Sequence, residues 1–247
     1  MNLLWAVGAS ITVSLISLIG VVSLLFNEKF LRKLLILLIG FSAGGLIGGA
    51  FLNLLPESLE HCRDIREVFV YVIAGFILFF ILEKYLFWRH CHDDKCSIHT
   101  FTYMNLVGDA VHNFADGLVI GASFLADINL GVVTTIAIIF HEIPQEIGEF
   151  GVLIYGGFTR AKALFYNFLS ALTAVVGTLV GYYFAHTVTG FSNIIMPIAA
   201  GGFIYISCCD LIPEIHKQKD IRKSGLSMIA FVVGILLIYF MKFAHSH

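Results

Sequence analysis

Charged side chains are scarce in this chain of 247 residues. Asp, Glu, Lys and Arg make up 13% of it and hydrophobic residues 58%, whereas an ordinary soluble domain is about 25% charged. The mean hydropathy is +0.90. This composition predicts an integral membrane protein in contact with membrane lipid. A net charge of -2 also argues against a nucleic-acid partner, because no basic face is available to neutralise a row of phosphates.

Cysteine and processing signals are also sparse. The chain has five cysteines; Cys208 and Cys209 are adjacent in an apolar segment, and Cys62 has no evident partner. We therefore expect no structural disulfide framework. The first apolar run, 3–26, lacks a positive leading region and a small-residue cleavage motif, so it is predicted to be a retained helix.

Long hydrophobic runs dominate what is present. A helix needs about 20 residues to cross a bilayer core, and the charged or Gly/Asn-rich interruptions divide the chain into eight runs of about that length. The sequence thus predicts an all-α membrane protein in one transmembrane domain, without room for a separate soluble domain. The predicted spans are 3–26, 34–58, 68–88, 101–126, 130–155, 161–186, 192–214 and 224–243.

Basic residues indicate the orientation of these spans. The first, third, fifth and seventh connections contain 12 of the 15 Lys and Arg residues. Cytoplasmic connections carry an excess of Lys and Arg, so both termini are expected outside the cytoplasm. Short connections favour a cell membrane over that of an organelle.

Two short segments suggest an internal repeat. Asn53-Leu-Leu-Pro-Glu57 ends the second span, and Asp210-Leu-Ile-Pro-Glu214 ends the seventh. Since these spans run in opposite directions, spans one to three and six to eight are predicted to be inverted copies around a central pair. Chance similarity between apolar segments remains the alternative.

Histidines and carboxylates concentrate in that central pair of spans. Several are four residues apart, which places their side chains on one helix face, and ionisable groups within a membrane are usually functional. Imidazole with carboxylate suits Zn, Fe, Mn or Cd, whereas Ca and Mg prefer oxygen ligands alone. The candidate metal ligands are His112, Asn113, Asp116, His141, Glu142, Gln145 and Glu146, with Asp109 and Glu149 about one turn beyond.

Pro144 lies among these candidates. It has no N–H to donate to the carbonyl of Phe140, so that oxygen is expected to be available to an ion or water. The alternative reading is that the polar side chains only bond helices together. Mutual hydrogen bonds would not readily offset so many desolvated carboxylates, so we favour the metal site.

These residues carry a family resemblance. His-Asn-Phe-Ala-Asp-Gly at 112–117 and His-Glu-Ile-Pro-Gln-Glu-Ile-Gly-Glu-Phe at 141–150 resemble the fourth- and fifth-helix signatures of the ZIP (Zrt-/Irt-like) metal transporters, in the subgroup with HNFxDG and HExPHExGD. The Leu-Pro-Glu end of span two and Asp210-Leu-Ile-Pro-Glu214 are also similar to that family.

The resemblance implies a homodimeric carrier that moves Zn²⁺ or related ions (Fe²⁺, Mn²⁺, Cd²⁺) into the cytoplasm. It implies eight helices in a 3+2+3 bundle, with spans one, four, five and six moving like an elevator against the others. His112, Asp116 and His141 would serve a first metal, and Asn113 and Glu142 a second. Asp210 and Asn53 would lie along the ion pathway, as would Asp109 and Glu149.

Three positions depart from the family pattern. Gln145 stands where the subgroup has His and many relatives have a bridging Glu, which leaves open whether the site holds one metal or two. Glu149 replaces the common Asp, and Asn53 stands where many relatives have His.

A second group of candidate ligands lies in the predicted cytoplasmic connection at 89–100. Cys91, His92, Cys96 and His99 combine thiolate with imidazole, which zinc favours, although their spacing is not that of a standard zinc finger. A solvated, reduced loop without a ligand is the equal alternative.

Other functional classes use similar residues. An intramembrane metalloprotease would need His-Glu-x-x-His, but the fifth residue here is Gln145, so no enzyme and no catalytic cofactor is expected. A metal-gated channel or a metal sensor could use the same ligands without a transport cycle and is the stronger rival.

Overall fold

A computed structural model describes residues 2–20, 28–60, 62, 64–88, 98–155, 157–217 and 221–243. These residues are helical apart from short turns, and no strand occurs among them, as expected from the hydrophobic pattern. Cys91, His92 and Cys96 of the predicted loop site lie outside the described residues. For His99 only the backbone is described, at the start of a long helix.

The helices follow one another with short connections. Two of them are extended by π-helical segments, here π1 and π2. In chain order the elements are α1 Asn2–Ile16, α2 Glu28–Gly48, π1 Gly49–Leu54, α3 Leu55–Glu60, α4 Ile65–Trp88, α5 Ile98–Ala126, α6 Ile128–Tyr155, α7 Arg160–Ala171, α8 Thr173–Thr187, α9 Phe191–Tyr205, π2 Ile206–Leu211, α10 Ile212–His216 and α11 Ile221–Phe243.

Six helical stretches of the described residues are long and apolar enough to cross a membrane. Two of the eight predicted spans are not among them. The apolar helix α1 has 15 described residues, and α5 has 29 residues but contains the polar groups of the 109–116 region. The six stretches are 34–60, 65–82, 128–154, 160–187, 191–211 and 224–241.

The first span differs from a continuous helix over 3–26. Helix α1 ends at Ile16 and is followed by a turn at Ser17 and Leu18, and residues 21–27 are outside the described part. The Ser17 hydroxyl donates to the Ser14 carbonyl at 2.8 Å, and the Ser17 carbonyl accepts from Asn167 at 3.3 Å. The bond from Asn167 gives the Ser17 carbonyl a hydrogen-bond partner at the helix break, as backbone groups at membrane depth require.

Both copies of the predicted repeat contain the same local distortion. The π segments π1 and π2 each end two residues before a proline, Pro56 or Pro213. In each, a backbone N–H reaches the carbonyl five residues back, from Leu55 to Ala50 and from Ile212 to Ser207. A proline cannot donate and its ring clashes with the carbonyl four residues back, so a wider turn before it accommodates the ring.

The helices pack as two groups. Helices α1, α5, α6, α7 and α8 contact one another, whereas α2, α4, α9 and α11 form the second group with π1 and π2. Glycines permit the closest approaches: a methyl group at Gly121 would lie 2.3 Å from the Thr178 carbonyl oxygen, and one at Gly44 would lie 1.9 Å from that of Phe231. The groups meet where α6 packs on α2 and α5 packs on α9.

A tight turn sets α5 and α6 antiparallel. Asp127 is the single residue between them, and its carboxylate accepts from the backbone N–H groups of Asn129 at 2.8 Å and Leu130 at 3.0 Å. A side-chain acceptor at this position satisfies the first free N–H groups of a helix. The polar residues of α5 and α6 are consequently brought to the same depth.

Candidate metal centre

Four side chains of α5 and α6 meet at one point. They are His112, Asp116, His141 and Glu142, and one ligand atom from each lies within 4.8 Å of the others. The two Nε2 atoms of the histidines are 3.2 Å apart. His141 Nε2 is 3.1 Å from Asp116 Oδ2 and 3.3 Å from Glu142 Oε1.

The spacing of these donors matches the coordination shell of a small divalent ion. From His112 Nε2 the distances are 3.4 Å to Glu142 Oε1 and 3.8 Å to Asp116 Oδ2. A tetrahedral zinc with ligands at about 2.0–2.1 Å places those ligands about 3.3 Å from one another. Four of these five separations, from 3.1 to 3.4 Å, thus lie close to the edges of such a tetrahedron.

The histidines are oriented by groups around them. His141 Nδ1 lies 3.3 Å from the Ala137 carbonyl, and a partner at one ring nitrogen fixes which nitrogen is left for a ligand. The ring of Phe203 lies beside His141, and that of Phe79 beside His112. His112 is 16% exposed, whereas the other three side chains are at most 2% exposed, so access to the cluster is past His112.

The side chain of Gln145 lies beside Asp109. Its amide nitrogen lies 3.4 Å from Asp109 Oδ1, and the same oxygen accepts from the Asn113 amide at 3.2 Å. The contact that the structure gives to the Gln145 amide is thus with Asp109, which the sequence analysis placed about one turn beyond the ligands. Glu142, which the resemblance assigns with Asn113 to a second metal, lies with His112 and Asp116.

Glu146 faces a different helix. The Asn167 amide of α7 donates to Glu146 Oε2 at 2.5 Å and to the Ser17 carbonyl at 3.3 Å. Both side chains are fully buried. This contact joins the break after α1 to the centre of α6.

The remaining candidates lie around the site. Asn53 is buried in π1 and donates to Thr134 of α6 at 3.2 Å. Glu149 is half-buried one turn after Gln145, and Asp210 is half-buried in π2. The Phe140 carbonyl, expected to be available to an ion, instead accepts a hydrogen bond from the hydroxyl of Ser42.

Comparison with known proteins identifies the family of this chain. A family model described as ZIP Zinc transporter matches residues 3–100 and 88–242. This chain belongs to the ZIP zinc transporter family. It is thus a multi-pass integral membrane protein, in keeping with its six long apolar stretches.

Three relatives of this ZIP chain are named as zinc transporters. It is 30% identical to "Zinc transporter zipt-7.1" of Caenorhabditis briggsae, over 86% of this chain and 71% of that protein. It is 30% identical to "Zinc transporter YKE4" of Saccharomyces cerevisiae, over 83% and 70%. It is 31% identical to "Zinc transporter ZIP13" of Pongo abelii, over 81% of this chain and 65% of that protein. None of these relatives bears the name of an enzyme.

Sequence reasoning missed two polar residues of this ZIP protein. Asn167 and Ser42 lie in predicted spans and contact Glu146 and the Phe140 carbonyl. A buried Asn in a membrane span requires hydrogen-bond partners, which was the available signal for Asn167. A serine in an apolar helix commonly bonds within its own helix, so nothing in the sequence indicated the role of Ser42.

Proposed function

We propose that this protein carries divalent transition-metal ions, Zn²⁺ foremost, across a cell membrane into the cytoplasm. In this proposal His112, Asp116, His141 and Glu142 hold the ion at membrane depth. The observation that carries it is the buried donor set, with its separations of 3.1–3.8 Å. Family membership supplies the class of substrate.

The chemistry of the donors suits an ion that must leave again. Two imidazoles and two carboxylates bind Zn²⁺, Fe²⁺ or Mn²⁺, whereas permanent structural zinc sites are rich in thiolate. None of the cysteines that the structure describes, Cys62, Cys208 and Cys209, belongs to the cluster. We infer that the cluster is a transient binding site for the transported ion.

The helix grouping supports alternating access. The cluster lies wholly within the group of α1 and α5 to α8, which contains predicted spans one, four, five and six. An elevator-like movement of this group along the second one would carry the site across the membrane. We propose eight spans in a 3+2+3 arrangement, both termini outside the cytoplasm and a homodimer, on the basis of the repeat, the distribution of basic residues and the family resemblance.

Uptake of radioactive zinc into proteoliposomes tests the proposal. Uptake that saturates, is competed by Mn, Fe and Cd and is lost in His141→Ala is the expected result. A matched control is His186→Ala, which removes an imidazole at the far end of α8 and is expected to leave uptake unchanged. Single-channel currents would instead identify a channel. Metal binding without any flux would identify a sensor.

A further inference from the structure

Two side chains of the second helix group form hydrogen bonds to α6 of the first. Asn53 of π1 donates its amide to the Thr134 hydroxyl at 3.2 Å, and the Ser42 hydroxyl of α2 donates to the Phe140 carbonyl. Ser42, Asn53 and Thr134 are at most 4% exposed, so water does not readily replace either bond. These bonds connect the helix that carries His141 to the group opposite it.

The surface of α6 between these two bonds is smooth. Thr134, Ala137 and His141 are three and four residues apart, so they lie on one face of the helix. Ala137 is fully buried and lies against Gly49 of π1, where an added methyl group would lie 3.2 Å from the Ala137 side chain. Helices resist sliding where ridges of side chains pack into grooves, and Ala and Gly form no such ridge. The two hydrogen bonds are therefore the directional contacts at this surface.

Contacts within the first group are of a different kind. The Ser170 hydroxyl donates to the Leu106 carbonyl of α5 at 3.2 Å. The Thr173 hydroxyl donates to the Ala110 carbonyl of the same helix at 2.7 Å. At Gly121 the backbones of α5 and α8 approach too closely to admit a methyl group. Bonds and close backbone contacts thus fix α5, α7 and α8 to one another.

Pro144 makes one of the two acceptors available. A helical carbonyl normally accepts from the N–H four residues later, and proline has no N–H. The Phe140 carbonyl therefore has no donor in its own helix and accepts from Ser42 instead. The proline thus provides α6 with an acceptor for a neighbouring helix.

A shift of one group along the other would separate both donor–acceptor pairs. A one-turn ratchet displaces packed helices by about 5.4 Å, which exceeds the reach of a hydrogen bond. Both acceptors are on α6, so the same shift breaks both bonds. Buried donors and acceptors without partners cost free energy. The observed arrangement is consequently favoured by two bonds that a shifted arrangement lacks.

We propose that the bonds from Asn53 to Thr134 and from Ser42 to the Phe140 carbonyl form a latch, which holds the first helix group in its present position along the second. The proposal rests on the proposed transport function for its role, in which the latch opens before the metal cluster crosses the membrane. Asn53, Thr134 and Ser42 are positioning residues, since they act on the place of the cluster and not on the ion. Each neutral bond of this kind shifts an equilibrium roughly two- to tenfold, which is weak enough to open in every cycle.

Distances between spin labels on the two groups test the latch. The labels are attached at Ile65→Cys on α4 and Tyr183→Cys on α8, which replace residues that are 60% and 63% exposed. The full chain, with its own five cysteines replaced by alanine, is diluted with unlabelled chain in lipid nanodiscs and measured by double electron–electron resonance. Thr134→Val is expected to raise the population at a second distance about fivefold relative to the first. Labels at Leu4→Cys and Tyr183→Cys, both on the first group, are expected to keep one unchanged distance.

A neighbouring threonine provides the matched control. Thr135 is also buried, but its hydroxyl donates to the Gly131 carbonyl of its own helix at 2.7 Å. Thr135→Val is therefore expected to leave the distances unchanged. Asn53→Leu is expected to shift them as Thr134→Val does, and the two changes together are expected to add little, because both remove the same bond. Fully additive shifts would contradict the proposal.

Ser42→Ala tests the other bond independently. It is expected to shift the distances in the same direction, and further when combined with Thr134→Val. Distances that stay unchanged in folded Thr134→Val and Ser42→Ala proteins would overturn the latch. Zinc uptake is measured in parallel: the expected shifts without zinc flux would overturn transport and leave the latch, whereas flux with unshifted distances would overturn the latch alone.

Discussion

The hydroxyl of Ser42 donates to the carbonyl of Phe140, which is the acceptor that Pro144 leaves without a helical donor. Ser42 is fully buried in α2 and Phe140 directly precedes His141 in α6. The bond therefore joins the two helix groups immediately beside the metal cluster.

Removing this bond is expected to destabilise the protein. Ser42→Ala leaves the part-buried Phe140 carbonyl with neither a helical nor a side-chain donor, at a cost of about 1–3 kcal/mol. Thermal or denaturant unfolding in detergent measures the change in the free energy of unfolding.

The control for this prediction is Ser10→Ala. Ser10 is equally buried but donates to the Val7 carbonyl of its own helix at 3.1 Å, so its loss is expected to cost less. Equal effects of the two substitutions would show that the bond between α2 and α6 contributes no more than a local one.

Asp116→Asn tests the charge within the four-residue cluster. Asn keeps the size of the side chain but removes the charge 3.1 Å from His141 Nε2. Replacing a residue that only hydrogen-bonds to a metal ligand lowers metal affinity about 10–100-fold. Replacing a ligand itself should cost at least as much, so at least a tenfold loss in Zn²⁺ affinity is expected. Isothermal titration on the purified protein measures it, with Glu67→Gln as a carboxylate control; unchanged affinity would exclude Asp116 as a ligand.

Gln145→His restores the residue that the family subgroup has at this position. Since the Gln145 side chain contacts Asp109, the new imidazole would lie beside that carboxylate. Imidazole suits Zn²⁺ better than it suits Mn²⁺, so the substitution is expected to favour Zn²⁺. The ratio of Zn²⁺ to Mn²⁺ uptake is expected to rise several-fold in competition assays. Gln145→Glu, which adds an oxygen ligand, is not expected to raise that ratio. The same ratio in wild type and Gln145→His would place residue 145 away from the ion.

Gly121→Ala tests the packing of α5 on α8. The added methyl group would lie 2.3 Å from the Thr178 carbonyl oxygen and 2.6 Å from the Tyr182 nitrogen, and forcing the helices apart costs about 1–3 kcal/mol. The melting temperature is expected to fall. Gly8→Ala on α1 meets nothing within 4 Å and gains helix propensity, so it is expected to be neutral or stabilising. A stable Gly121→Ala protein would contradict the close contact.

Much of the fold could be read from composition and motif. The low charge and long apolar runs predicted a helical membrane protein, and Asn53-Leu-Leu-Pro-Glu57 with Asp210-Leu-Ile-Pro-Glu214 predicted the repeat. In the structure, each of these segments begins within a π segment, π1 or π2. The eight-span arrangement, the orientation and the dimer stay predictions.

The sequence by itself determined which residues could bind an ion, because helical periodicity places residues four apart on one face, as it does for His112 and Asp116. Only the tertiary structure decided that Glu142 converges with them while Gln145 turns to Asp109 and Glu146 to Asn167. The physical reason is that contacts between helices depend on their relative rotation and depth. In this protein the relative rotation and depth of the helices are fixed by the Asp127 turn, by the close helix contacts at glycines and by the helix break at Ser17. Residue spacing within a single helix does not contain that information.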